Sequence, residues 1–464
     1  MARKLFGTDG VRGVAGEFLT AELALALARA ATLHTEVASG PNGERPQALI
    51  VRDTRESGEM LEAAVAAGVS AAGGDALLGG VLPTPAAPLL IARYGFHLGV
   101  VLSASHNSYR DNGIKFFAGD GYKLSDETEL AIERELELAG QRDGSSLAGA
   151  GAGAGEPVRS IGRVRALRGA PEDYLRELHV RFQELDLHGV DVLLDCANGA
   201  TYEVAPEIFR RLGATVSVRA DVPDGRNINA GCGSTHVEEL AREVLAGGHA
   251  VGFAFDGDGD RVLAVDSRGQ VVDGDELLAL AVMHLRARGR LPGDGVVVTV
   301  MSNYGFHAAM ERAGVSVAST QVGDRYVLEE LRARGWTLGG EQSGHIIDMG
   351  FNRTGDGIAS ALLTLEALAG RDLSERDAMS KLPQRLVNVR VRDRDALGQA
   401  QEVGAAVRDA ERALAGRGRV LVRPSGTEPL VRVMVEAPSE EEAEEVCARL
   451  VSLVERELGQ QAPR

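Results

Sequence analysis

Cysteine is scarce in this chain: the three that occur, Cys196, Cys232 and Cys447, are widely separated and form no metal-ligand spacing. They read as reduced thiols of a cytoplasmic protein. Aromatic residues make up only 4% of the sequence, while Ala, Gly, Val and Leu abound, so the expected cores are aliphatic layers of an α/β protein. No apolar run is long enough to span a bilayer, and residues 1–16 lack the apolar centre of a signal peptide, which leads us to expect no membrane association and a cytoplasmic location. Basic charge is in deficit, with 50 Lys and Arg against 67 Asp and Glu and a formal net charge of -17. That balance argues against a nucleic-acid or anionic-membrane binder. It leaves a phosphorylated small substrate open, because screening acts over about 8 Å at physiological salt and a few convergent cations dominate a cleft. No Gly-Lys pair occurs anywhere, which excludes a nucleotide P-loop.

What the chain does have is length and an alternating pattern. Its 464 residues suffice for about three domains and for an enzyme with a cleft between domains. Thr20 reads as the cap of an Ala/Leu-rich helix reaching about residue 34. Residues 48–51 read as a strand, 59–72 as a helix and 98–102 as a strand that follows a short helix after Pro83 and Pro85. The stretch 144–155, almost wholly Gly, Ala and Ser, reads as a surface insertion or linker. A second α/β unit follows with strand 190–194, helix 202–212 and strand 215–219. A third spans about 250–370, with strands at 251–255, 262–265 and 296–300 and helices after Gly274, Gly305 and Gly323. The last segment differs. Strand 386–391, helix 398–415, strands 420–422 and 431–435 and an acidic-faced helix 439–458 make a small α+β domain. No repeat of solenoid period is present.

The richest chemistry lies in Asp256-Gly257-Asp258-Gly259-Asp260-Arg261, directly after an apolar strand. Glycines between the acids let the backbone curl so that several carboxylates converge on one hard cation, and such a donor set suits Mg²⁺ with room left for a phosphate. An EF-hand loop starting at Asp256 would need Gly and a carboxylate where Arg261 and Ser267 stand. A solvated Asp-Gly turn is the plain alternative, but three alternating acids repel one another unless something positive sits among them.

A second loop, Ser103-Ala104-Ser105-His106-Asn107, also follows a buried strand, and its serine suits a nucleophile or phosphate carrier with polar neighbours. It is not the Gly-x-Ser-x-Gly elbow of hydrolases. Downstream, Lys115 lies beside Phe116 and Phe117, where an amine either exchanges protons or neutralises phosphate; the alternative is a surface amine. Gly339-Gly340-Glu341-Gln342-Ser343-Gly344-His345 combines acid, hydroxyl and imidazole, suited to sugar hydroxyls or an ammonium group, with a plain turn as the alternative. Finally, Arg423-Pro424-Ser425-Gly426-Thr427-Glu428-Pro429, closing on Arg432, makes an anion cradle without a Walker lysine.

Taken in order over the whole length, these loops resemble those of the α-D-phosphohexomutases, and Gly7-Thr8-Asp9-Gly10-Val11-Arg12-Gly13 and Gly323-Asp324-Arg325-Tyr326 resemble the bacterial, amino-sugar branch of that family. The resemblance implies three α/β domains with mixed sheets and a smaller C-terminal α+β domain around a central cleft. On that plan the chain divides into 1–157 with the serine loop, 158–250, 251–372 with the metal and sugar loops, and 373–464 with the phosphate cradle. It implies that Ser105 is carried as phosphoserine and that Asp256, Asp258 and Asp260 hold Mg²⁺ together with it. Arg261 then supports the charge, while Arg12, Lys115, His106 and His345 stand near the reacting oxygen. Glu341, Ser343, Gly323 and Asp324 would meet the sugar, and Arg423, Ser425, Gly426, Thr427 and Arg432 the phosphate that is not reacting. The implied activity converts glucosamine-6-phosphate into glucosamine-1-phosphate through a bisphosphorylated sugar, with glucose or mannose phosphates as the alternative substrates. Lys115 and His345 are the candidates for proton transfer. The partner is a small phosphosugar, and a homodimer stays open. A phosphatase, in which water takes the phosphoryl group, and a non-catalytic sugar-phosphate binder are the rival classes. Two departures stand out: Ser108 where the family usually has Pro, and the insertion at 144–155. Without the φ restriction of Pro, Ser108 loosens the serine loop slightly, and the insertion touches no expected site residue.

Overall fold

The apolar runs become the central strands of parallel-cored sheets. The computed structural model describes residues 4–35, 45–142, 161–425 and 429–459; the stretch 144–155 and the cradle residues Gly426 and Thr427 lie outside the described residues. The chain forms two compact units, one of residues 1–300 with 318–376 and one of residues 301–317 with 377–464.

Within the first unit, six strands form one mixed sheet: β1 (Val11–Val14), β2 (Gln47–Arg52), β3 (Asp75–Val81), β4 (Leu98–Leu102), β5 (Asp111–Ala118) and β6 (Val164–Ala166). Their order is β1-β5-β4-β2-β3-β6. Strands β4, β2, β3 and β6 run parallel, while β5 and β1 add antiparallel at one edge. All five residues of β4 are buried, as expected of a strand covered on both faces. Helices Ala21–Leu33 and Gly58–Ala71 supply Leu27 and Val65 to a core with Ile50 and Val100. The Thr20 hydroxyl caps the first helix by accepting from Leu23 N at 3.2 Å.

The second sheet consists of β7 (Asp191–Asp195), β8 (Thr215–Arg219), β9 (Val251–Phe255), β10 (Val262–Asp266) and β11 (Val271–Val272) in the order β11-β10-β9-β7-β8. The third has β12 (Gly295–Thr299), β13 (Ser316–Thr320), β14 (Leu338–Gly340) and β15 (Ile346–Asp348) in the order β13-β12-β14-β15.

This pairing corrects the expected division of the chain. The boundary at 250–251 would cut a sheet, because β9 pairs parallel with β7 from Val192↔Val251 to Asp195↔Ala254. The Asp256 loop therefore belongs with the second sheet and not with β12. The boundary at 157–158 likewise falls short, since β6 pairs with β3. That at 372–373 moves to the unit break after Arg376, whose guanidinium reaches Glu276 at 2.7 Å and Asp266 at 2.8 Å.

The second unit is built on β16 (Gln384–Arg390), β17 (Arg419–Pro424) and β18 (Leu430–Glu436), an antiparallel sheet ordered β16-β18-β17. Helices Gln401–Leu414 and Glu440–Leu458 close a core that includes Val389, Val433, Leu450 and Val454. Helix Tyr304–Ala313 groups here too: Asn303 exchanges hydrogen bonds with Leu382, and Tyr304 N donates to Glu436 at 2.8 Å. Among the described residues no helix is long and apolar enough to cross a membrane.

Candidate active site

Strand β4 ends at Leu102, and the chain turns sharply into the serine loop. Ser105 is buried and holds φ at 54°, in the left-handed region that a non-glycine residue adopts only when its surroundings fix it. Its N–H donates to Ser103 Oγ at 2.9 Å, and its own hydroxyl donates to Asp256 Oδ2 at 2.5 Å. His106 Nδ1 lies 3.3 Å from Ser105 Oγ and accepts from Arg261 Nη1 at 3.2 Å. Burial, then Arg261 and Arg12, push the His106 pKa down, so this imidazole is neutral.

The opposing loop follows β9, whose five residues are all buried. Asp256, Asp258 and Asp260 are buried as well, and each offers a carboxylate oxygen within 4.8 Å of the others. Burial and repulsion from Asp260 and Asp258 push the Asp256 pKa up. For Asp260 burial acts in the same direction, but Lys115, His345 and Arg261 outweigh it and hold the carboxyl low. Among the described residues, Oδ1 of Asp258 is buried and accepts no hydrogen bond, and Oδ1 of Asp260 has only His345 Nδ1 at 3.5 Å and Arg261 Nε at 3.8 Å. Carboxylate oxygens short of donors, converging beside a serine hydroxyl, fit a hard divalent cation such as Mg²⁺. The alternative of a solvated Asp-Gly turn fails on burial.

Lys115 lies on β5 and is buried, with Nζ 2.7 Å from Asp258, 2.9 Å from Asp9 and 3.6 Å from Asp260. Burial would depress its pKa, but these carboxylates outweigh it and raise the ammonium above its ordinary range. The surface-amine reading fails with it. Arg12, at the second position of β1, pairs with Asp9.

Glu341 and Ser343 sit in the hairpin between β14 and β15. The Glu341 carboxylate accepts from Gly323 N at 3.0 Å and from the Ser343 hydroxyl at 3.3 Å, so three of the expected sugar contacts are joined to one another. Asp324 begins helix Asp324–Arg334 and bridges to Lys123, which also reaches Asp9. His345 is buried, with Nδ1 3.5 Å from Asp260, Nε2 3.9 Å from Asp324, and Gly355 N donating to Nε2 at 3.2 Å. Both ring nitrogens are thereby engaged by protein groups.

The C-terminal residues form their own arrangement in the second unit. Arg423 on β17 and Arg432 on β18 are direct cross-strand partners. Like charges in that register repel unless an anion lies between them. Burial and Arg432 both lower the Arg423 pKa, and Arg432 Nε is buried without a hydrogen-bond partner among the described residues. Ser425 is buried; its N–H donates to Leu430 O at 2.8 Å and its carbonyl accepts from Arg394 at 2.8 Å.

Sequence reasoning missed the groups that support these loops. Thr84 donates to Asp258 Oδ2 at 2.6 Å, and its N–H donates to Asp258 O at 2.8 Å. Asp53 accepts from Ser103 Oγ at 2.6 Å. Arg55 and Asn229 grip the serine loop from two sides. Asp53 and Arg55 lie where a polar run follows an apolar strand, the signal that exposed Ser105 and Asp256, whereas Thr84 and Asn229 carry no such local signal.

Four family models cover most of the chain: phosphoglucomutase/phosphomannomutase alpha/beta/alpha domain I at residues 3–143, domain II at 172–269, domain III at 273–386 and the C-terminal domain at 386–453. The chain is 53% identical over 450 residues to a phosphoglucosamine mutase of Moorella thermoacetica, covering 96% of this chain and 98% of that one. It is 50% identical to one of Desulforudis audaxviator, covering 99% of each. Among solved structures, a phosphoglucomutase/phosphomannomutase family protein of Burkholderia thailandensis matches with a TM-score of 0.76 at 20% identity, over 99% of this chain and 100% of that one. An N-acetylphosphoglucosamine mutase of Aspergillus fumigatus, solved with GlcNAc-6P and magnesium, matches with a TM-score of 0.63 at 19% identity, over 98% and 96%. The buried serine facing three carboxylates, the four domain matches and the full-length relatives agree, and the chain belongs to the phosphoglucomutase/phosphomannomutase family, the α-D-phosphohexomutases.

Proposed function

We propose that this enzyme is an isomerase that interconverts glucosamine-6-phosphate and glucosamine-1-phosphate, carrying the phosphoryl group on Ser105 and passing through the 1,6-bisphosphate. The observation that carries the chemistry is the Ser105 hydroxyl, 2.5 Å from Asp256 inside a buried set of three carboxylates. The choice of an amino sugar rests on relatives named phosphoglucosamine mutase that match over nearly the whole chain. We place the enzyme in the cytoplasm, with a phosphosugar as its partner.

Asp256, Asp258 and Asp260 would hold Mg²⁺, which when bound neutralises charge on a phosphoryl group in transfer. In the first half-reaction the sugar C1 oxygen bonds to phosphorus and the bond from phosphorus to Ser105 Oγ breaks. The hydroxyl proton passes through the site to the serine oxygen. In the second, Ser105 Oγ takes the C6 phosphoryl group and the proton returns to the C6 oxygen. Lys115, held protonated among carboxylates, serves as a fixed positive charge. His106 is the imidazole in contact with the serine oxygen, while His345 orients Asp260. Glu341 and Ser343 meet the sugar, and Arg423, Ser425 and Arg432 hold the phosphate that is not reacting.

The test is incubation of purified protein with glucosamine-, glucose- and mannose-6-phosphate, Mg²⁺ and a trace of sugar bisphosphate, reading the 1-phosphate and free phosphate. Glucosamine-1-phosphate should form with little free phosphate, and Ser105→Ala should abolish it. Free phosphate matching the sugar consumed would make the protein a phosphatase.

A further inference from the structure

We propose that Arg55 is a positioning residue that clamps the serine loop in transfer geometry, so that a phosphoryl group on Ser105 goes to a sugar hydroxyl and not to water. This rests on the reading of Ser105 as the phosphoryl carrier. Arg55 follows β2, the parallel neighbour of β4, and the two side chains of the Arg55–Asp53 pair are fully buried. A guanidinium has five N–H donors in a fixed plane, and here all five are used on the fold's own acceptors. Nε donates to Asp53 at 2.8 Å, Nη2 to Ser105 O and Asn107 O at 2.9 Å each, and Nη1 to Asp111 O at 2.9 Å and to Ser108 O. One cation thus gathers four carbonyl oxygens of the loop that carries the serine.

Three further facts make this more than internal packing. Ser105 and Asn229 both hold left-handed backbone, at φ 54° and 58°, which persists only where neighbours over-determine it. Asn229 also donates to the same two carbonyls, Ser105 O at 2.9 Å and Asn107 O at 3.0 Å, and reaches them from the loop beyond β8 in the domain that carries the Asp256 loop. A Cβ on Gly257 would lie 2.6 Å from Ser105 O and 2.7 Å from Asn229 Nδ2, so the aspartate loop packs against the same junction. Arg55 and Asn229 therefore fix Ser105 Oγ against Asp256 from both sides. A carbonyl turned toward a phosphoserine would repel it, and four of them are held on a cation instead. Lysine, a point charge with three donors on a flexible stem, cannot reproduce the five-bond fork.

Arg55→Lys and Asn229→Gly separate this role from a structural one; glycine tolerates the positive φ at 229 and removes only the amide. Each full-length variant is loaded with sugar 1,6-bisphosphate and its phosphoserine content is read by mass. Isomerisation kcat and KM are then measured beside release of phosphate to water. In that release a water oxygen bonds to phosphorus, the bond to Ser105 Oγ breaks and a water proton returns to the serine. Arg55→Lys should lower kcat on the order of 30-fold or more with KM within about 3-fold, because alignment and not binding is lost, and should raise phosphate released per turnover about 10-fold. Asn229→Gly should move both readings in the same direction by less. Wild-type kcat and wild-type partition between sugar and water in Arg55→Lys, whatever its Tm, would overturn the proposal. Should Arg55→Lys fail to fold, an unchanged partition in Asn229→Gly overturns it alone. A wild-type protein that isomerises no phosphosugar would reject the reading of Ser105 itself, a different result from either.

Discussion

The Asp258 carboxylate meets the Lys115 amine and the Thr84 loop, and it is one of the three proposed Mg²⁺ ligands. Its Oδ2 accepts from Thr84 and from Lys115, while Oδ1 has no donor. In a solvated loop Asp258→Asn would cost folding nothing. In the buried site the substitution takes the nearest of three counter-charges from Lys115, leaving Asp9 at 2.9 Å and Asp260 at 3.6 Å. The expected result is turnover lower by about 100-fold or more, Mg²⁺ affinity lower by about 10-fold, and a stability loss of about 1–3 kcal/mol. Calorimetry with Mg²⁺, thermal unfolding and turnover read these separately; full activity per folded molecule would make the triad structural. Arg423 behaves oppositely. Its cross-strand partner is Arg432, so Arg423→Ala relieves repulsion and should leave Tm unchanged or raised. KM should rise for both monophosphates by about 10- to 150-fold, the loss of one charge-assisted contact of about 1.5–3 kcal/mol. A defect in one direction only would mean that the two phosphates use different cradles.

Elements were legible where a continuous apolar run met a capping residue, as at β4, β9 and the helix after Thr20. They were not where the signal is spread across the chain. Strand β6 is three exposed residues with no alternation, and the parallel partner of β9 lies some 60 residues upstream, fixed by register and not by any local pattern. The site divides in the same way: side chains that present chemistry at a strand end could be read, whereas Asn229, 124 residues from Ser105, acts through a buried contact that only the fold creates.

Helix Gly357–Leu368 carries an element-scale prediction. Its cap Asp356 accepts from Ala359 N at 3.0 Å, Tyr174 Oη at 3.1 Å and Asn352 Nδ2 at 3.3 Å, yet burial dominates and pushes its pKa up to about 6. The folded state therefore favours the protonated acid. Stability from this group is full below the ordinary carboxylate range, near pH 4, and is lost as pH rises through about 6. Asparagine keeps the cap without titrating. The stability of Asp356→Asn relative to wild type should rise between about pH 4 and 6, by up to about 2–3 kcal/mol, and stay level above. Parallel Tm curves for the two proteins across that window would reject the shift.

For the whole molecule, the net charge of -17 bears on which sugar is used. All three hexose-6-phosphates carry the same phosphate, but glucosamine-6-phosphate adds an ammonium and is less strongly repelled by a negative protein at long range. If Glu341 meets the amino sugar as proposed, it adds a local attraction. Its carboxylate is largely buried and accepts from the Gly323 N–H and the Ser343 hydroxyl; among the described residues it forms no direct ion pair, with Arg261 and His345 acting on it at longer range. The two contributions differ in range. The first is screened over about 8 Å at physiological salt, whereas a contact in a shielded site persists. We expect glucosamine-6-phosphate to be preferred over glucose- and mannose-6-phosphate by about 10- to 150-fold in kcat/KM. Most of that preference should survive when ionic strength is raised. Glu341→Gln should then cut kcat/KM for the amino sugar and bring it toward the other two, which change little. Equal losses for all three would show that Glu341 binds ring hydroxyls common to them, and a preference abolished by salt alone would assign selectivity to the field of the whole protein.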